Sequence, residues 1–400
     1  MHNPYLEKLL PYPFERLNQL KAGSTANQAL SPILLSLGEP KHEASQFALD
    51  ILSDPVKIKQ ALGMYPPTKG LAELRTAIAD WCCRRFHLDA LSAETEVLPV
   101  TGTREAIFSL VQVLIDAKAS AKVLMPNPFY QIYEGATFLA GATPKYLDGT
   151  AGQFDIDAIT SAQWRDCDLL IICSPNNPTG ATFSLAELQK LITLAHEYDF
   201  NIISDECYSE IYPLSSPAPA GLLQAAAAMG NHQFTHCVVV NSLSKRSNLP
   251  GLRSGFAAGD AGLIEKYFNY RTYHGCAMPV HHQWVSIAAW QDESHVSDNR
   301  ARYQQKFDAV LAILGDKLAL NQPAGGFYLW PKTPVADEQF ALALFQQQNI
   351  TVLPGSYLSR QNADGLNPGQ HRVRMALVAP VEDCIEASER INAFIDAGNF

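Results

Sequence analysis

Four polar residues stand where apolar runs end or tight turns begin, and together their types define one chemistry. Lys245 lies in SLSKRSNLPGLRSG (242–255), directly after the apolar run CVVVN, with Ser242 and Ser244 beside it and Arg253 eight residues on. Most loop lysines are merely solvated. A lysine amine can also condense with a carbonyl to give a Schiff base, and hydroxyls with a guanidinium beside it make a site for phosphate. Asp205 ends the run NIISD within SDECY (204–208), a costly place for a carboxylate without a partner. It either caps a neighbouring loop or pairs with a buried cation. Asn177 in SPNNPTG (174–180) belongs to a tight turn, and it also puts an amide donor beyond the run DLLIICS. In TGTREA (101–106) a strand passes through glycine into a helix, so the amides of Gly102, Thr103 and Arg104 face outward and favour phosphate. Many helices begin this way, and the signal is weak on its own.

These groups need a scaffold that brings their chain segments together. The short runs VLPV (97–100), KVLM (122–125), DLLIICS (168–174), NIISD (201–205) and CVVVN (237–241) suit strands buried on both faces of a parallel sheet. Leu71–Phe86 has helical spacing, and in SLAELQKLITLAHEY (184–198) Ser184 with Glu187 forms a capping box. Lys245 is expected in a loop between such elements. The alternation predicts an α/β fold, with a mostly parallel sheet flanked by helices and ligands outside the carboxyl ends of the strands. After about residue 290 the texture changes to a long helix through Tyr303, Phe307, Val310, Leu311 and Leu314. Three strand-like pieces (325–330, 350–354, 371–378) and a closing helix with Ile385, Ile391, Phe394 and Ile395 follow. The expected division is 1–44 as an N-terminal segment packing with the small domain, 45–290 as the large α/β domain, and 291–400 as a small α+β domain.

With 400 residues, 47% hydrophobic and 18% charged, the chain has the profile of a globular enzyme of two domains. A formal charge of −10 argues against nucleic acid as a partner. No apolar stretch is long enough to span a membrane, and the N-terminal prolines and acids do not fit a signal peptide, so a cytoplasmic location is expected. Cys82, Cys83, Cys167, Cys173, Cys207, Cys237, Cys276 and Cys384 include no C-x-x-C pair and read as reduced thiols. His274, His281 and His282 crowd one stretch, but no carboxylate or cysteine completes a metal-site spacing, and His196 with Glu197 lacks a second histidine. No metal is expected. Neither G-x-x-x-x-G-K-[ST] nor G-x-G-x-x-G occurs.

Asn177, Asp205, Lys245 and Arg253 follow one another in order, each read as lying just beyond an apolar strand. With LSLGEP (35–40), YPPTKGLAELR (65–75), NPFYQIY (127–133), GGFYLW (325–330) and VRMAL (373–377), the chain resembles the class I/II aminotransferases of the aspartate aminotransferase superfamily along nearly its whole length. That resemblance implies pyridoxal 5′-phosphate (PLP) bound as a Schiff base to Lys245, which then carries a proton between the substrate Cα and the cofactor. It implies Asp205 beside the pyridine nitrogen, Asn177 and Tyr208 at the phenolic oxygen, and Tyr130 stacked on the ring. The phosphate would rest on Ser242, Ser244, Arg253 and the amides of Gly102, Thr103 and Arg104, with Tyr65 reaching it from a partner subunit of a homodimer. Arg374, preceding MALV, would take the substrate carboxylate, with Asn177 and the backbone of Gly38 beside it. Arg372, two residues earlier and expected on the same face, is the alternative.

The implied partners are an amino acid and a 2-oxo acid. Within the family, NPYLEKLLPYPFERL, PNPFYQIYEGA and SLSKRSNLPGLRSGF are similar to the proteobacterial N-succinyl-diaminopimelate aminotransferases of lysine biosynthesis. The alternatives are an aspartate, aromatic or alanine aminotransferase, or a PLP-dependent carbon–sulfur lyase. A long substrate with extra carboxylates calls for further cations, for which Lys69, Arg104 and Arg246 are candidates. Each can equally pair with surface acids.

Overall fold

A computed structural model describes residues 2–117, 120–149, 152–362 and 364–400. After a short strand, Ile33–Leu34 (β1), the chain builds a seven-stranded sheet. Its strands are Val97–Val100 (β2), Lys122–Asn127 (β3), Thr143–Asp148 (β4), Leu169–Cys173 (β5), Asn201–Asp205 (β6), Cys237–Ser242 (β7) and Gly255–Gly259 (β8). Their spatial order is β2-β8-β7-β6-β5-β3-β4. Strands β3 to β7 pair in parallel, whereas β8 runs antiparallel to both β2 and β7.

The apolar runs form strands because both faces of the sheet are covered. Cys237 and Val239 enter one core and Val238 and Val240 the other, and Leu170 and Ile172 alternate with Leu169 and Ile171 in the same way. Burying each such branched side chain contributes roughly 1.5–3 kcal/mol. The helices Ala72–Phe86 and Val280–Gln291 cover one face through Trp81 and Trp290, and Thr103–Leu114 covers the other through Ile107 and Leu110. Ser184 accepts from the Glu187 amide, and the Glu187 carboxylate returns to the Ser184 amide, closing the capping box expected from sequence.

Two strands of the seven-stranded sheet, as well as the short β1, escaped the sequence reading. β4 (TPKYLD), at the sheet edge, buries only Pro144 and Leu147, and β8 (GFAAG) is too rich in small residues to read as a strand. Smallness is what β8 needs there, because a Cβ on Gly255 would lie 2.5 Å from the Asn241 carbonyl oxygen.

Beyond the sheet, the helix Ser294–Leu314 buries Tyr303, Phe307, Val310 and Leu314. The expected three strand-like pieces shrink to pairs and a quartet: Tyr328–Leu329 (β9), Ile350–Thr351 (β10), Leu353–Pro354 (β11) and Val373–Ala376 (β12). β12 pairs antiparallel with β9 and β11, and β1 pairs in parallel with β10. The closing helix Val381–Ala397 buries Ile391 and Phe394 against them, with Ile385 and Ile395 half-buried at its margins. All eight cysteines are free thiols, and no helix is long and apolar enough to cross a membrane among the described residues.

One buried acid in this scaffold has a pH consequence. Glu206, 2% exposed, accepts from the Leu222 amide (2.8 Å) and Ser204 Oγ (3.0 Å). Burial pushes its carboxyl up to about 7, against the pull of those donors and of Arg85. A raised carboxyl contributes stability that is fully present below the ordinary value of 4.5, falls by roughly 1.4 kcal/mol per pH unit as pH climbs from there, and is gone once pH has passed about 7. Glu206→Gln should therefore gain on the native protein in urea melts as pH rises from about 4.5 to 7, with the difference constant above that. Parallel pH responses of the two would show that the acid does not titrate there.

Candidate active site

The parallel strands β2, β5, β6 and β7 all end at one edge of the sheet, and a cavity of about 430 Å³ opens there. Asp205 is the last residue of β6, Asn177 follows β5, and Ser242 ends β7. Arg253 reaches the same edge by the opposite route. It precedes β8, whose first residue Gly255 is paired with both Val100 and Ser242, so an antiparallel strand starts where its neighbours finish. The expectation that Arg253 lies beyond an apolar strand is corrected accordingly.

Lys245 sits on a one-turn helix, Leu243–Arg246, and not in a loop. Its Nζ donates to the carbonyl of Gly38 at 2.6 Å and lies 5.3 Å from the centre of the Phe327 ring. Burial pulls the amine down to about 8, and Arg374 and Arg253 act in the same sense against Cys207 and Glu39. A substantial part of it is therefore uncharged and nucleophilic near pH 8.

Asp205 is held apart from that amine. Its carboxylate accepts from Tyr133 Oη (2.8 Å) and the Cys207 amide (3.2 Å). Burial raises its pKa, while those donors and Lys245 oppose the rise. A cation placed against this carboxylate would complete its coordination. Tyr130 lines the cavity beside Tyr133, at 5.8 Å and nearly perpendicular to it.

At the other end, Gly102 begins the helix Thr103–Leu114 at φ 100°, and no side chain caps it. A Cβ there would meet Arg253 Nη2 at 2.3 Å, so only glycine lets the guanidinium lie over the helix start. Thr103, Arg104, Ser242, Ser244 and Arg253 line the cavity here. Arg253 itself adopts φ 52°, uncommon for a side-chain-bearing residue, and is tied to the carbonyls of Pro250 (2.7 Å) and Thr101 (3.4 Å).

Arg374, buried on β12, donates to Asn177 Oδ1 (3.0 Å) and the Ser36 carbonyl (2.7 Å), leaving its Nε without a partner among the described residues. It lines the cavity, whereas Arg372 turns away to the Trp330 carbonyl (2.9 Å), so the two arginines do not share a face of the site. Tyr208 pairs its hydroxyl with that of Tyr328 at 3.0 Å, and the Arg374 guanidinium lies 4.5 Å from the Tyr328 ring centre. Gly38 passes so close that a Cβ would overlap Tyr328.

Not every sequence candidate belongs here. Lys69 is bound to Glu94. Arg246 is fully buried behind the wall between Trp81 and Trp290, held by Glu293 (2.6 Å) and the Ala289 carbonyl (2.6 Å). Of the three distal cations only Arg104 lines the cavity. Tyr65 is 100% exposed and lies outside it. The expectation that no carboxylate or cysteine accompanies the clustered histidines is also corrected. Glu105 and Cys276 bring donor atoms within 4.8 Å of His274, although Arg271 already takes both Glu105 oxygens at 2.5 and 2.6 Å. Tyr133, Cys207, Tyr328, Tyr12 and Glu39 were not assigned to the site from sequence. Tyr133 was within reach of that reading, three residues after Tyr130 in NPFYQIY.

The sequence profile described as aminotransferase class I and II matches residues 31–391. An aminotransferase structure from Neisseria meningitidis Z2491 is 44% identical with TM-score 0.93, covering 98% of this chain and 100% of that one. Aminotransferase AspB from Helicobacter pylori 26695 is 35% identical with TM-score 0.87, covering 97% and 99%. An LL-diaminopimelate aminotransferase of Desulforudis audaxviator is 30% identical over 99% of this chain and 98% of its own length. The chain belongs to the class I and II aminotransferases. This aminotransferase is therefore a PLP-dependent transaminase acting on amino acids and 2-oxo acids. Its cavity fits the cofactor, with an amine, a buried acid seeking a cation, and a glycine-cradled helix start under an arginine.

The depressed Lys245 amine is open to direct measurement in the cofactor-free aminotransferase. Trace acetylation of Lys245, read by mass spectrometry, should rise with a midpoint near pH 8. A midpoint at the ordinary lysine value would mean that the amine is solvated.

Proposed function

We propose that this transaminase acts on N-succinyl-L,L-2,6-diaminopimelate with the 2-oxoglutarate/glutamate pair, in diaminopimelate and lysine biosynthesis. The observation that carries the reading is Arg104. Its guanidinium lines the cavity, donates only to Tyr130 Oη (2.5 Å) and Tyr12 Oη (3.4 Å), and has no carboxylate partner among the described residues. An arginine with donors to spare on a substrate wall suits a substrate that ends in a second carboxylate. Several relatives similar over nearly the whole chain are LL-diaminopimelate aminotransferases, which supports a long dicarboxylic donor.

In this reading the cofactor, when bound, supplies an electron sink for charge developing at the substrate Cα. Lys245 holds it covalently and carries the proton to and from that carbon. Asp205, steadied by Tyr133 and the Cys207 amide, keeps the pyridine nitrogen protonated. Asn177 and Tyr208 donate to the phenolic oxygen, and Tyr130 covers the ring. Ser242, Ser244, Arg253 and the amides of Gly102, Thr103 and Arg104 hold the phosphate. Arg374 grips the α-carboxylate, with Asn177 fixing the guanidinium plane and Gly38 closing the space beside it.

The same proposal keeps the divisions at 44 and 290, the cytoplasmic location and the homodimer. Tyr65 stands fully exposed in a stretch that also exposes Val56, Leu62 and Met64, as a residue serving a second subunit's phosphate end would. Sedimentation at micromolar concentration should give a dimer. A fully active monomer would remove Tyr65 from the site.

A screen of amino donors against 2-oxoglutarate tests the substrate. N-succinyl-L,L-diaminopimelate should give the highest kcat/KM, and Arg104→Met should cut that value by roughly 10- to 100-fold, the worth of one charge-assisted hydrogen bond, while sparing donors without a distal carboxylate. Equal turnover of plain aspartate or tyrosine would reassign the enzyme to another aminotransferase type. Pyruvate and ammonia formed without an oxo acid would make it a carbon–sulfur lyase.

A further inference from the structure

Behind the wall that carries Lys245 lies a chain of buried polar groups whose proton positions follow from geometry. Asn299, on the helix Ser294–Leu314, is buried and donates through Nδ2 to the carbonyls of Lys245 (3.1 Å) and Arg246 (3.3 Å). Carbonyls only accept, so the amide is fixed with Oδ1 pointing the other way. That oxygen accepts from Asn248 Nδ2 (2.8 Å) and faces His42 Nδ1 at 2.8 Å. His42 must then carry its proton on Nδ1 and a lone pair on Nε2. Lys306 Nζ donates to that lone pair at 2.8 Å and to the Val378 carbonyl at 3.2 Å.

Asn299, Tyr303 and Lys306 recur at helical spacing and share one face. Tyr303 packs 4.7 Å from the His42 ring and stacks 5.3 Å from Phe327, whose own ring lies 5.3 Å from Lys245 Nζ. His42 stands four residues past Gly38, whose carbonyl receives that Nζ. A single helix face thus holds both the backbone of Lys245 and the chain segment that its amine meets.

We propose that Asn299, His42 and Lys306 form a positioning unit for Lys245, fixing the amine relative to the Gly38 carbonyl and thereby its readiness to exchange a proton. The inference rests on Lys245 being the reactive lysine of the transaminase. The unit keeps its hydrogen-bond directions whether or not Lys306 is charged, because the amine donates in both forms while His42 stays neutral. Burial holds His42 down at about 4, with Lys306 and Arg302 adding to the effect and Asn299 opposing it. Lys306 is held down at about 8 by burial and Arg302, against Cys384 and Glu382. Around Lys245 itself the charged and titratable groups are Cys207, Arg374, Glu39, Arg253 and Asp205, none of which belongs to the unit.

The test uses the cofactor-loaded enzyme with Asn299→Asp, which turns a donor toward two carbonyls into an acceptor, and His42→Phe, which keeps the ring on Tyr303 and removes both hydrogen bonds. Each should lower kcat by about tenfold or more while KM for the amino donor stays within about threefold, the pattern of a misplaced reacting group. Each should also shift the midpoint of the visible-absorbance pH titration by about half a unit or more, which a merely structural role would not do. Folded variants with unchanged kcat and titration midpoint would overturn the proposal. So would variants that lose thermal stability while the midpoint holds. Borohydride reduction of the unaltered enzyme, followed by peptide mapping, separates the two readings. Label absent from Lys245 would sink the assignment of the reactive lysine, whereas label on Lys245 with indifferent variants would sink the positioning unit alone.

Discussion

The site depends on keeping an amine and a carboxylate in one poorly hydrated cavity without letting them pair. Opposite charges this close in low dielectric would bind each other and end the chemistry of both. Lys245 is instead given the neutral Gly38 carbonyl as its acceptor, and Asp205 is given Tyr133 and the Cys207 amide as its donors. Neither partner cancels a charge. The acid keeps its appetite for a cation, and the amine keeps a pKa low enough to act as a nucleophile and base.

The sheet makes that separation possible. Parallel strands deliver one side chain each to a common edge, and the spacing of adjacent strands, about 5 Å, sets apart the residues they deliver. β6 supplies Asp205 and β7 leads into the turn of helix bearing Lys245, so the two arrive from neighbouring strands on separate supports. The antiparallel β8 adds a cation that no parallel strand could bring to this edge without a further crossover. Arg253 enters at the beginning of β8, and Gly102 leaves room for it over the helix start.

Much of this was legible in the sequence, because strands covered on both faces must be continuous apolar runs and the polar residues that end them stand out. Asp205, Asn177, Ser242 and Lys245 were visible for that reason. What stayed hidden follows from interactions with no local signature. The direction of β8 is set by its pairing with Val100 and Ser242, so the true position of Arg253 could not be read from spacing. Lys245 and Arg246 are neighbours in SLSKR, yet a helical turn rotates successive residues by about 100°. One faces the cavity, while the other is sealed between two tryptophans. Lys69 was indistinguishable from a substrate ligand until Glu94, 25 residues away, was seen to hold it. The short strands around β12 were overextended because a few residues of pairing suffice where the helices Ser294–Leu314, Asp337–Gln348 and Val381–Ala397 cover the rest.

The segment from β1 to His42 gives the second half of the molecule its hold on the chemistry. β1 is paired with β10, and the Leu35 carbonyl accepts from the Ala376 amide at 2.7 Å, so the segment is fastened to the strands that carry Arg374. From that anchorage Ser36 receives Arg374, Gly38 receives Lys245, and His42 receives Lys306. Three cations from three different elements thus end on seven consecutive residues, two of them on backbone carbonyls that cannot change charge with pH. Such a segment couples the group that grips the substrate carboxylate to the group that moves the proton. A shift of either reaches the other through a few fixed hydrogen bonds, because the backbone between Ser36 and Gly38 is too short to absorb it.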